Sequence, residues 1–68
     1  MNNHVRTRRT DRGWTQAELG DRVGVSRQTI NAIEAGRHDP SLTLAFSLAQ
    51  VLEERIDTLF EPKREVVS

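Results

Sequence analysis

The feature that most constrains this chain is a pair of helix-start signals set close together, Thr15 and Ser26, with Gly24 between them. Thr15 is followed three residues on by Glu18, so its hydroxyl can take a free amide of the first turn while the Glu18 carboxylate reaches back. Trp14, just before that cap, and Leu19, at the fourth helical position, have the spacing of a hydrophobic staple. Leu19 and Val23 carry the apolar stripe to Gly24, whose tolerance of positive φ suits a helix end. Ser26 caps again at once, and Ile30 and Ile33 give the next helix its buried edge. Two short helices joined by so few residues must cross steeply. Measured around the second of them from Arg27, Ile30 and Ile33 fall at roughly 300° and 240°, and Gln28 and Asn31 at roughly 100° and 40°. A helix buried along so narrow an edge leaves its polar side free to touch something.

Only one core is available to surround this unit. The chain has 68 residues and no cysteine, so neither disulfides nor thiolate zinc ligands can staple it. Helix packing or a partner chain must supply stability, and neither metal nor cofactor is expected. The remaining elements are punctuated in the same way. Residues 3–12 read as a first helix with Val5 on its buried side. Ala35 and Gly36 end the helix that carries Ile33, residues 37–40 form a loop, and Ser41 caps a helix over 41–52. That helix is apolar except along Thr43, Ser47 and Gln50, so it is central to the core, or packs on the core and a second subunit at once. Ile56 to Phe60 reads as a short last helix, stopped by Pro62. The expected organisation is an all-α domain over residues 1–60 and a tail over 61–68, available to a dimer contact, in which Val66 and Val67 either pair as an edge strand or stay disordered.

Net charge is zero but unevenly placed. Residues 1–38 carry seven arginines against four acidic residues, net +3, and residues 39–68 are net −3. The expectation is one face that seeks phosphates and another turned away. No apolar run approaches the roughly 20 residues of a membrane span, and the N-terminus lacks the apolar stretch of a secretory signal, so a cytoplasmic location without a membrane partner is expected. Catalysis fits poorly. His4 and His38 are far apart in the chain, there is no glycine-rich phosphate loop, and so small a core leaves little room for a substrate cavity.

Five short helices, with a steep turn between the second and third and a polar outer face on the third, are what reading the DNA major groove requires. The groove, about 12 Å wide, accepts one helix, whose N-terminal side chains meet the base edges. Arg27 has the planar fork that matches guanine, and Gln28 can both donate to and accept from adenine. Ser26 and Thr29 are short hydroxyls suited to phosphate or thymine. Gln16 can present its amide and the free backbone N–H groups of its helix to a phosphate. Trp14 is better explained by packing than by base stacking.

At these positions the chain resembles the Cro/repressor-type, or xenobiotic-response-element, helix-turn-helix regulators. The resemblance rests on Thr15-Gln16-Ala17-Glu18-Leu19, the run from Gly24 to Glu34, Pro40-Ser41-Leu42 and Ile56-Asp57-Thr58-Leu59-Phe60, and extends from residue 4 to residue 60. It implies a five-helix lambda-repressor-like DNA-binding domain. It also implies that Gln16 contacts phosphate, that Arg27 and Gln28 read bases, and that Ser26 and Thr29 assist at the backbone. Arg9 would pair with Glu34 and keep guanidinium donors near the phosphates; Thr15, Arg37 and His38 complete the expected backbone set.

The chain also departs from the family pattern. Ala32 stands where some relatives place a further base contact, which shifts reading to Asn31. Arg8 replaces a core aliphatic residue and either loosens the first helix or snorkels toward DNA. Gly20 replaces alanine and costs up to about 1 kcal/mol unless close packing compensates. Glu53 and Arg55 stand where glycine and a small hydroxyl are common.

The implied function is a sequence-specific regulator of double-stranded DNA, a repressor on a pseudo-palindromic operator. The alternative is an antitoxin or protein-interaction module of the same fold. Gln16, Arg27 and Gln28 are the residues a degenerate copy would lose first, and all are present. One recognition helix touches too few bases for useful specificity, so a homodimer is expected, with half-sites roughly 34 Å apart and contacts through Leu52, Ile56, Leu59 and Phe60. With no second domain expected, regulation falls to concentration, a partner protein or competition for the site.

Overall fold

A computed structural model describes residues 2–61. Helices α1 (Val5–Asp11), α2 (Gln16–Val23), α3 (Arg27–Glu34), α4 (Leu42–Val51) and α5 (Ile56–Leu59) follow in order, framed by strands β1 (Asn2–Asn3) and β2 (Phe60–Glu61). Each of the three longer helices begins at the cap its sequence signals. Thr15 Oγ1 accepts from the Glu18 amide at 3.0 Å while Glu18 Oε1 accepts from the Thr15 amide at 2.9 Å, a complete capping box. Ser26 and Ser41 accept from the amides of Thr29 and Leu44 at 3.2 and 3.1 Å. Trp14 packs against the core, and Leu19 is fully buried within it.

Gly20 sets how closely α2 meets the turn that follows. Its carbonyl accepts from both Gly24 and Val25, at 2.8 and 2.9 Å, and a Cβ on Gly20 would lie 2.5 Å from the Val25 carbonyl oxygen. An alanine there would force the backbone of the turn outward. Close packing thus offsets the weak helix propensity of this glycine and allows α3 to leave α2 at once.

The core is formed by Val5, Leu19, Ile30, Ile33, Leu48, Leu52 and Leu59, all fully buried, with Ala45, Ala49 and Phe60 around them. This corrects the expectation of a dimer contact for Leu52 and Leu59, which are closed off entirely. In so small a domain these side chains are needed to close the protomer's own core. Of the four residues named, Ile56 and Phe60 keep some exposure. The large apolar side chains left outside are Leu42, 70% exposed, and Phe46, 55% exposed, both on α4.

The ends of the described chain meet in a pairing that no helical pattern announces. Asn2 lies opposite Glu61 and Asn3 opposite Phe60, antiparallel, and the His4 amide donates to the Leu59 carbonyl at 2.9 Å. The first helix therefore begins at Val5 rather than at residue 3, and the last ends at Leu59, with Phe60 already extended. Asn3 joins the two ends to the centre: its Oδ1 accepts from the Val5 amide at 3.2 Å and its Nδ2 donates to the Ile33 carbonyl at 2.8 Å. The expected strand at Val66 and Val67 lies outside the described residues. Among those residues no helix is long and apolar enough to cross a membrane.

Candidate nucleic-acid interface

The amino end of α2 and the outer face of α3 form an open cleft of about 540 Å³, lined by Gln16, Arg27, Gln28, Asn31, Ala32 and Arg37. Burial of Ile30 and Ile33 fixes the rotation of α3, which leaves Arg27, Gln28 and Asn31 exposed. The structure thus brings together the three expected base readers, Gln16 and Arg37. Ser26 and Thr29 lie at the start of the same helix, their hydroxyls 3.0 Å apart and bonded to each other. Thr15 spends its hydroxyl on the capping box. His38 is exposed in the loop between α3 and α4 and does not line the cleft.

Arg9 forms the expected pair with Glu34. It is buried, with Nε 2.7 Å from Glu34 Oε2, Nη2 3.1 Å from Glu34 Oε1 and Nη1 2.7 Å from the Trp14 carbonyl. The Glu34 hydrogen bond raises the pKa of Arg9 further and keeps it charged despite burial. A guanidinium held on these three sides anchors α1 to α3, the tie that the resemblance implies. Breaking so buried a pair from one side would leave an uncompensated charge, at a cost of about 3–5 kcal/mol. Arg8 turns away from the cleft: its Nε lies 2.9 Å from Glu54 Oε1, close as an ion pair though out of line for a hydrogen bond.

Glu34 supports the cleft directly. Its Oε1 accepts from Gln16 Nε2 at 3.0 Å, while Gln16 Oε1 faces Asn31 Nδ2 at 3.5 Å and Asn31 Oδ1 accepts from Arg37 Nη2 at 2.8 Å. The Gln16–Glu34 and Asn31–Arg37 bonds could not be read from residue types or helical period. Trp14 has a second role that sequence reasoning missed: the Arg22 guanidinium stacks 3.9 Å from its ring centroid. That basic residue in the last turn of α2, with a tryptophan before the helix, was the available signal.

The fold and this cleft define a helix-turn-helix domain. The chain belongs to the Cro/repressor-type helix-turn-helix family, whose pattern it matches over residues 5–59. It is 49% identical over 61 residues to an uncharacterized HTH-type transcriptional regulator of Methanothermobacter thermautotrophicus, with 88% of each chain covered. It is 37% identical over 51 residues to the antitoxin HipB of Escherichia coli, covering 75% of this chain and 54% of that protein. Among solved structures it is similar to the P22 c2 repressor in complex with a synthetic operator, with a TM-score of 0.83, 31% identity, and coverage of 85% of this chain and 88% of that one. The protein is a DNA-binding transcriptional regulator.

Proposed function

We propose that this regulator is a repressor that acts in the cytoplasm and binds a pseudo-palindromic operator as a homodimer. The observation that carries the reading is the convergence of Gln16, Arg27, Gln28, Asn31 and Arg37 on one open cleft. Gln16 and Arg37 meet phosphates and fix the register, with Ser26, Thr29, Thr15 and His38 as lesser backbone contacts. Arg27 and Gln28, at the amino end of α3, read base edges. The likeness to a repressor whose structure contains its operator supports this role. The likeness to HipB favours a second reading, an antitoxin that uses the same cleft on DNA while a partner protein occupies another face.

Selection from a random duplex library tests the proposal. The expected product is an inverted repeat with half-sites roughly 34 Å apart. Arg27→Ala and Gln28→Ala should each cost about 1–3 kcal/mol on that site and relax preference at one position. Gln16→Ala should weaken all sequences evenly. Unchanged preference in both α3 variants would show that this helix is not the reader.

A further inference from the structure

We infer that Arg37 is a positioning residue for base choice: it fixes the Asn31 amide so that Asn31 meets DNA as a hydrogen-bond donor and selects guanine or thymine. The inference rests on the proposed reading of the cleft and goes beyond it to the base class. An amide usually leaves its two ends open to exchange, because oxygen and nitrogen are nearly the same size. Here the exchange is closed by chemistry at both ends of a relay. Glu34, ion-paired with Arg9, can only accept, so Gln16 must turn its Nε2 toward it, at 3.0 Å, and its Oε1 toward Asn31. Arg37 can only donate, so Asn31 must turn its Oδ1 toward the guanidinium, at 2.8 Å, and its Nδ2 toward Gln16 Oε1. Both ends therefore require the same sense, and no other amide arrangement satisfies them.

The consequence lies in what Asn31 has left to offer. Asparagine reads adenine by accepting from N6 with its oxygen while donating to N7. In this chain the oxygen carries a guanidinium, whose positive charge opposes the approach of a base amino group. That disfavours adenine N6 and cytosine N4. The second Nδ2 proton remains, and it suits guanine O6 or N7 and thymine O4.

The test is selection from a random duplex library with the wild-type chain and with Asn31→Ala, Arg37→Ala and Arg37→Lys. Asn31→Ala identifies the base pair that this side chain reads. There the wild type is expected to favour guanine or thymine by about tenfold over adenine or cytosine. Arg37→Ala should cut that preference to about twofold and admit adenine, while Arg37→Lys, still a donor, keeps most of it. If Arg37→Ala weakens every sequence evenly and leaves the base profile intact, Arg37 is a phosphate contact alone and the inference falls. An Asn31→Ala profile identical to the wild type, or a wild-type preference for adenine at that position, overturns it equally while leaving the repressor reading in place. A wild-type chain that selects no sequence overturns both.

Discussion

Among the described residues, Glu53 is the single non-glycine residue at positive φ, at 55°. It follows the cap of α4, where its amide donates to Gln50 at 3.2 Å and the Glu54 amide donates to Ala49 at 2.9 Å. The end of α3 is built the same way: Gly36 donates to Ile33 and Arg37 to Ala32, both at 3.0 Å, and the residue at positive φ is glycine. A side chain in that conformation crowds its own carbonyl oxygen, which costs about 1 kcal/mol. Little offsets it, since the Glu53 carboxylate is 4.0 Å from Arg12 and largely exposed. Glu53→Gly is therefore expected to raise stability by about 0.5–1 kcal/mol, the difference to be read from urea unfolding midpoints. A loss of stability would mean that the carboxylate supports the turn through more than this exposed contact. The residue was visible in the sequence as a departure from the family pattern that the chain resembles. Its φ was not, because a helix end settles its last turn only once the next element is packed.

The helices differ in how much of each could be read beforehand, and the range of the determining contacts explains the difference. Thr15, Ser26 and Ser41 bond within a few residues of themselves, so local sequence is enough to place three helix starts. The polar face of α3 was legible for the same reason, since two buried isoleucines fix its rotation. In α4 the apolar residues surround most of the helix, so period could not separate buried Leu48 from exposed Leu42 and Phe46. The pairing of β1 with β2 joins the two ends of the described chain and leaves no local pattern. The capping box of α2 also yields a pH dependence. Glu18 has a lowered pKa, chiefly because its carboxylate accepts from the Thr15 backbone amide. A group whose folded pKa is lowered stabilises above its ordinary value, here 4.5, and loses that contribution as pH falls through the lower folded value. The wild type is thus expected to melt above Glu18→Gln at neutral pH, with the gap closing as pH falls below 4.5. Thermal midpoints taken across that range decide the point, and a gap independent of pH would remove the ionised carboxylate from the account.

At the scale of the molecule, the chain has used most of its large apolar side chains to close one core, and what it leaves out is informative. Leu42 and Phe46 stand one helical turn apart on α4, and beside them an apolar groove of about 310 Å³ is lined by Pro40, Leu42, Ala45, Ile56 and Phe60. This surface lies in the net acidic half of the sequence, whereas every residue lining the cleft lies in the net basic half. In the proposed homodimer the cleft meets DNA, and the α4 face, which shares none of the cleft's lining residues, meets the second copy. A two-fold copy also supplies the second recognition helix that a pseudo-palindromic operator needs. Burying Leu42 or Phe46 contributes about 1.5–3 kcal/mol per side chain, enough for either to decide the oligomeric state. Leu42→Glu and Phe46→Glu are therefore expected to give a monomeric mass by light scattering at tens of micromolar while keeping wild-type helix content by circular dichroism, because neither side chain is buried in the protomer. Both variants should also bind the inverted repeat more weakly than the wild type yet bind a single half-site equally well. An unchanged dimeric mass in both would move the interface away from α4, and a monomeric wild type with and without the operator would remove the dimer itself.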